Sequence, residues 1–304
     1  FTENGVSNQG NPLFEANPGG APCNVLAMLT KLGHKTAFIG KVGKDFFGTQ
    51  LKEAIEQVGI SSDYLYMDEQ VHTTLALVHT FPDGDRDFSF YRNPGADMML
   101  TEEEISEELI QNARIFHFGT LSMTHNGVRK ATKKAIRIAE QANVLISFDP
   151  NLRPPLWDSL EDAREQVLYG LGHCQILKIS DNEIQWLTGE SDFTKGVEWI
   201  LERYEIPLIL VSMGKQGSRA YYGNFMVERQ PFLQKNTIET TGAGDTFCGC
   251  ILHYILEHGI DNLKGSNLKD MLTFANSAAS LITTKKGALR VMPSREEIEA
   301  NITK

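Results

Sequence analysis

Between Arg114 and Ser212 the chain repeats one pattern, a short apolar run followed by a stretch with apolar residues at helical spacing. Residues 114–118, 144–148, 175–179 and 207–212 are the apolar runs, too short for buried helices and rich in branched side chains. Residues 128–141, 183–187 and 194–204 carry the helical spacing. Strands joined through helices run parallel, and a parallel sheet needs both faces covered. The pattern therefore predicts a layered α/β domain. Upstream, 35–42 reads as a further strand closed by Gly43, with helices at 25–32 and 46–58; downstream, helix dominates from Asp245 through Leu268 to Thr284, and a short capped helix follows Ser294.

Two β-rich stretches break this rhythm. Residues 73–81 and 87–92 have no helix between them, only the turn Pro82-Asp83-Gly84-Asp85, and read as a hairpin outside the main sheet. A lone hairpin cannot bury both faces, so it is expected to fold over a site or to pair with another subunit.

Composition limits the partners. A chain of 304 residues, 41% hydrophobic, can bury one large core. A net charge of -10 with no compensating Lys/Arg run speaks against a nucleic-acid partner. Cys23, Cys174, Cys248 and Cys250 lack metal or redox spacing and read as reduced core residues. No apolar run reaches membrane-spanning length and the start is unlike a signal peptide, so a cytoplasmic protein with no membrane association is expected. The sequence opens at Phe1 without a Met, and a further strand ahead of it is expected.

Two glycine-rich segments carry candidate chemistry. In Glu239-Thr240-Thr241-Gly242-Ala243-Gly244-Asp245 a turn opens an apolar helix whose first N–H groups attract anions. Asp245 there is either a base beside an anion site or simply a capping residue. Near the start, Gly19 and Gly20 precede Asn24, whose amide both donates and accepts; a sugar site and a plain turn into a helix both fit. No P-loop of the form G-x-x-x-x-G-K-[ST] is present.

Together the two segments resemble the two signatures of the ribokinase (PfkB-type) carbohydrate kinases, and the resemblance covers essentially the whole chain. It extends toward bacterial fructokinases through Asn17–Pro22, Phe90–Asp97, Asp149-Pro150-Asn151-Leu152-Arg153 and Lys178-Ile179-Ser180-Asp181. The resemblance implies a three-layer ribokinase-like fold, a single domain over 1–304 with a β lid formed mainly by 10–20 and 71–97, and a homodimer built through that lid. It implies ATP-dependent phosphorylation of a sugar, most of all fructose, with Asp245 as base and the amides of Gly242, Ala243 and Gly244 as anion hole. Arg153 falls near the phosphates; Gly19, Gly20, Asn24, Phe90 and Arg92 fall on the sugar. Lys178, Ser180, Gly214, Gly217, Asn276 and Gly287 fall on the nucleotide, although loops and caps explain several of these equally well. Glu183 is implied to hold Mg²⁺ through water, and Glu239 and Thr241 border a monovalent-cation (K⁺) site.

The chain also departs from the family pattern. Ser180 replaces the Asn of Asn-x-x-Glu, Leu26 and Cys250 stand where small residues are usual, and Glu239 replaces an Asp or Asn. A sugar-binding Asp is implied on a strand ahead of Phe1. Kinases of the family acting on 2-keto-3-deoxygluconate or a riboside, and a catalytically silent scaffold, are the other readings.

Overall fold

The computed structural model describes residues 1–80 and 86–303, so the turn 82–85 lies outside the described residues. Strands β1 (Thr2–Val6) and β2 (Pro12–Glu15) precede helix α1 (Ala21–Lys31), then β3 (Gly40–Gly43), α2 (Phe46–Gln57) and β4 (Leu65–Asp68). The hairpin β5 (Leu75–Thr80) and β6 (Arg86–Tyr91) follows, then α3 (Glu107–Gln111). The repeating region forms β7 (Ile115–Gly119), α4 (Asn126–Gln141), β8 (Leu145–Asp149), α5 (Leu160–Leu171), β9 (Ile176–Ser180), α6 (Asp181–Thr188), α7 (Phe193–Leu201) and β10 (Leu208–Ser212). Strands β11 (Ser218–Tyr222) and β12 (Phe225–Arg229) lead to helices α8 (Ala243–His258), α9 (Gly265–Ile282) and α10 (Arg295–Ile302).

The main sheet has the order β12-β11-β10-β9-β8-β7, parallel from β7 to β10 and antiparallel beyond. Strand alternation divides its side chains between two cores. Ile176, Leu208 and Leu210 pack with α1, α8 and α9, whereas Phe148, Leu177, Ile179, Ile209 and Val211 pack with α4, α5, α6 and α7. Each fully buried aliphatic contributes roughly 1.5–3 kcal/mol, so the helices are held to both faces by many such contacts. The expected three-layer α/β architecture is present.

Alternation also sets the chemistry. Asp149 shares the parity of Leu145 and Lys178 that of Ile176, so both point to the α8 face at the C-terminal ends of adjacent parallel strands. Ligand sites of parallel sheets gather at those ends.

Several strands were not read from sequence. β1 and β2 are mostly exposed and lack an alternating pattern. The β11–β12 hairpin turns on Gly223-Asn224, with Gly223 at φ 54, a two-residue turn signal that the surrounding sequence does carry. Of the expected strand 35–42, only Gly40–Gly43 pairs with β4 in a continuous ladder, plus an isolated bridge from Ala37 to Ser61.

The hairpin does stand apart from the main sheet. It joins a four-stranded sheet of order β2-β1-β5-β6. Its base is tied down: Asp45 accepts from the Thr73 N–H and hydroxyl, and Asp97 accepts from Thr74 Oγ1. No helix among the described residues is long and apolar enough to cross a membrane.

Helices α1 and α8 lie side by side because Gly249 presents no side chain to Met28. A Cβ on Gly249 would lie 2.7 Å from Met28 Cβ and 3.0 Å from the Val25 carbonyl oxygen. Gly249→Ala is therefore expected to lower stability by about 1–3 kcal/mol, measured by urea unfolding. An unchanged unfolding midpoint would show that the two helices have room to separate.

Candidate active site

Asn24 lies one helical turn before Met28 in α1, and Asp245 lies one turn before Gly249 in α8. The Gly249–Met28 contact therefore brings those two polar residues together. Asn24 Nδ2 donates to Asp245 Oδ2 at 2.8 Å, across 221 residues of sequence. Asn24 is buried, and its Oδ1 has no partner among the described residues. Gly19 lies beside that oxygen, with a position for a Cβ 3.7 Å away. An acceptor buried without a partner favours a ligand that donates to it, and a sugar hydroxyl fits. Gly20 caps α1 at φ 136, a backbone that L side chains rarely adopt.

Gly242 begins α8 in the left-handed region at φ 75. Of the three amides expected to form an anion hole, the Ala243 N–H turns back to the Thr240 carbonyl at 3.3 Å. Among the described residues the Gly242 and Gly244 N–H groups have no main-chain acceptor outside the helix, and the positive end of the α8 dipole lies behind them. Gly244 faces Lys178, whose Nζ would lie 3.3 Å from a Cβ at that position.

Lys178 and Asp149 form a buried ion pair, with Nζ 3.0 Å from Oδ2 and 3.2 Å from Oδ1. Burial pushes the Asp149 carboxyl well above its ordinary value, against the pull of the Lys178 ammonium. Burial opposes the charge on Lys178, but Asp149, Glu183 and Asp245 together outweigh it and raise its pKa. Asp245 is raised by burial, against the hydrogen bond from Asn24 and the charges of Lys178 and Arg153. A carboxyl lifted in this way is a better base than an exposed one. It is also a poor cap, since its side chain bonds Asn24 and caps no helix N–H.

The loop after β8 carries Asn151 at φ 43 and Arg153, whose Nη1 donates to the Leu152 carbonyl. That loop is held by Glu183. Glu183 Oε1 accepts from the Leu152 N–H at 2.8 Å, and Oε2 accepts from the Ser180 N–H and hydroxyl, completing a capping box on α6. The carboxylate is thus structurally engaged; its remaining lone pairs suit a water-mediated cation contact better than direct ligation.

Other predicted residues have visible structural work. Arg92 spends Nε on Asp97, Nη1 on Thr124 Oγ1 and Nη2 on the Leu121 carbonyl, pinning the end of β6 to residues 121–124. Asn276 accepts from Ser218 Oγ and donates to the carbonyls of Arg229 and Gln230, clipping α9 to β11 and β12. Gly217 lies so near Arg229 that a Cβ would meet its carbonyl oxygen at 2.1 Å. Gly214, at φ 52, opens the short turn after β10. Gly287 donates its N–H to Glu239 Oε1 at 2.7 Å. Phe90 pairs with Ala76 across the hairpin.

Ala21, Pro22, Asp97, Thr120, Asp149 and Asn151, together with residues 34–41 and 112–118, line a cavity of about 690 Å³. In the sequence Lys178 falls on the nucleotide by resemblance, and Asp149 appears only within a longer motif. Their pairing was hidden because it depends on the register of β8 against β9.

The profile of the pfkB family carbohydrate kinases matches residues 2–295. The chain is 38% identical over 299 residues to "Probable fructokinase-4" of Arabidopsis thaliana, covering 98% of this chain and 91% of that one. Among solved structures, fructokinase with bound ATP from Xylella fastidiosa superposes with a TM-score of 0.89 at 28% identity, covering 99% of this chain and 94% of that one. Fructokinase from Vibrio cholerae O395 in its fructose, ADP and calcium form gives 0.86 at 28% identity, covering 99% and 97%.

Removing the Asn24 donor should raise the Asp245 pKa further, because burial then acts with less opposition. With Asp245 read as a base in its carboxylate form, the acidic limb of the turnover profile for Asn24→Leu is expected about one pH unit above wild type. An unmoved limb would show that Asn24 does not tune this carboxyl.

Proposed function

The chain belongs to the pfkB family of carbohydrate kinases, and from that premise we propose that it transfers the γ-phosphoryl group of ATP to the primary hydroxyl of D-fructose, giving fructose 6-phosphate and ADP. One observation carries the reading. Asp245 is raised by burial at the opening of α8 and is bonded to an Asn24 whose other amide atom awaits a donor.

Asp245 takes the proton of the sugar hydroxyl as that oxygen attacks phosphorus. The new O–P bond forms in line with the bond to the β,γ-bridging oxygen, which breaks and leaves its electron pair on ADP. Negative charge grows on the phosphoryl oxygens. It meets the amides of Gly242 and Gly244, the α8 dipole, Arg153 and the neighbouring Lys178, groups fixed before reaction and therefore favourable without reorganisation. Asn24 with Gly19 and Gly20 would hold the sugar hydroxyls. Mg²⁺, held through water by Glu183, would supply charge neutralisation on the phosphates. Ser180, Gly214, Gly217, Asn276 and Gly287 would border the nucleotide through backbone and shape, since the Asn276 side chain is already committed to the fold. Thr241 is the candidate neighbour of K⁺, while Glu239 on the same segment accepts from the Gly287 N–H.

The sheet β2-β1-β5-β6 is read as the lid, with Phe90 closing over the sugar and Arg92 acting from its pivot. Closure excludes water that would otherwise accept the phosphoryl group. Val6, Leu13, Phe14 and Tyr91 are exposed on that sheet, which supports a homodimer formed through the lid. The four free, buried cysteines fit a reducing compartment and support a cytoplasmic enzyme.

A coupled assay of ADP release over a sugar panel is expected to show fructose preferred, and a stronger preference for another sugar would reassign the substrate. Asp245→Asn should lower kcat by about 10²–10⁴-fold while calorimetric affinities for ATP and sugar stay close to wild type; near-normal turnover would remove Asp245 as base. Sedimentation of Phe14→Glu should show a monomer where wild type is a dimer.

A further inference from the structure

Glu239 stands on the segment leading into α8 and is tied three ways to the loop after α9. The N–H groups of Ile238 and Glu239 both donate to the Thr283 carbonyl, at 2.8 and 3.2 Å, and Glu239 Oε1 accepts from the Gly287 N–H at 2.7 Å. Three residues further on the two segments meet again. Gly242 lies against Ala288 so closely that a Cβ would come within 2.7 Å of Ala288 Cβ. The turn that aims the first amides of α8 is thus held between two fixed points, and Glu239 is the side chain that supplies one of them.

The same loop reaches the lid. Lys286 Nζ donates to Asn4 Oδ1 on β1 at 3.0 Å, and Gly287 packs beside Asn17, where a Cβ would be 3.1 Å from Asn17 Oδ1. The anion-hole turn and the lid segments therefore both rest on residues 283–288. Side-chain length matters here. An aspartate at 239 would fall short by about one C–C bond, roughly 1.5 Å, too far for a hydrogen bond to Gly287.

We propose that Glu239 is a positioning residue for phosphoryl transfer, fastening the anion-hole turn to the loop on which the lid also rests. The proposal deepens the kinase reading of this site and rests on it. Its chemistry is reach rather than charge, because what Gly287 requires is an acceptor oxygen at the right distance.

Two conservative variants separate reach from charge. Glu239→Gln keeps an acceptor of the same length without the charge; Glu239→Asp keeps the charge without the length. With potassium saturating, the Glu239→Gln enzyme is expected to hold kcat within about threefold of wild type, whereas the Glu239→Asp enzyme loses about tenfold or more, given about 10²-fold for an ångström of misplacement. The fructose KM should stay within about twofold in both, since the sugar ligands are untouched. The reverse order would assign Glu239 a charge-based role such as cation binding and overturn the proposal. Two unimpaired enzymes, two impaired ones, or a loss carried by KM would overturn it as well. A wild-type enzyme silent toward every sugar would instead overturn the kinase reading, and the proposal with it.

Discussion

The close approach of α1 and α8, permitted by the missing side chain at Gly249, is the contact on which the site depends. Each helix alone carries half of a function. α8 offers amides and a carboxyl, and α1 offers an amide side chain behind two glycines. With Met28 seated on Gly249, the residues one turn earlier in both helices fall into hydrogen-bond range, and Asn24 meets Asp245. Separating the axes by the width of one methyl group would stretch that bond beyond use.

Charge is then distributed so that three carboxyls share one buried ammonium. Asp245, Asp149 and Glu183 gather around Lys178 at the C-terminal ends of β8 and β9. Glu183 is satisfied by backbone and hydroxyl donors, Asp149 is paired with Lys178, and Asp245 accepts from the Asn24 amide. Lys178, Arg153 and the dipole of α8 thus set positive charge against these carboxyls within the site, in a chain that has no basic run.

How much of this was legible in the sequence differs by element. The parallel β7–β10 region could be read because five-residue apolar runs and helical spacing are local signals. β1 and β2 could not, since exposed strands of a small sheet need no alternation. Within the site, the glycines and Asp245 were visible as a motif, but the motif left base and cap equally open. Arg92 and Asn276 show another limit: the resemblance implied ligand contact and held no sign that Arg92 ties the end of β6 to residues 121–124 or that Asn276 clips α9 to β11 and β12.

The sequence by itself determined the alternation of strands and helices from β7 to β10, the layered parallel sheet and the placing of a carboxyl just inside a helix that begins on glycines. Those follow from periodicity, steric freedom and capping, which act over a few residues. Only the tertiary structure decided that Asn24 faces Asp245 across 221 residues, that Lys178 is held by Asp149, and that Glu239 reaches Gly287. Such pairings depend on helix separation and strand register, which long-range packing sets and no short stretch of chain encodes.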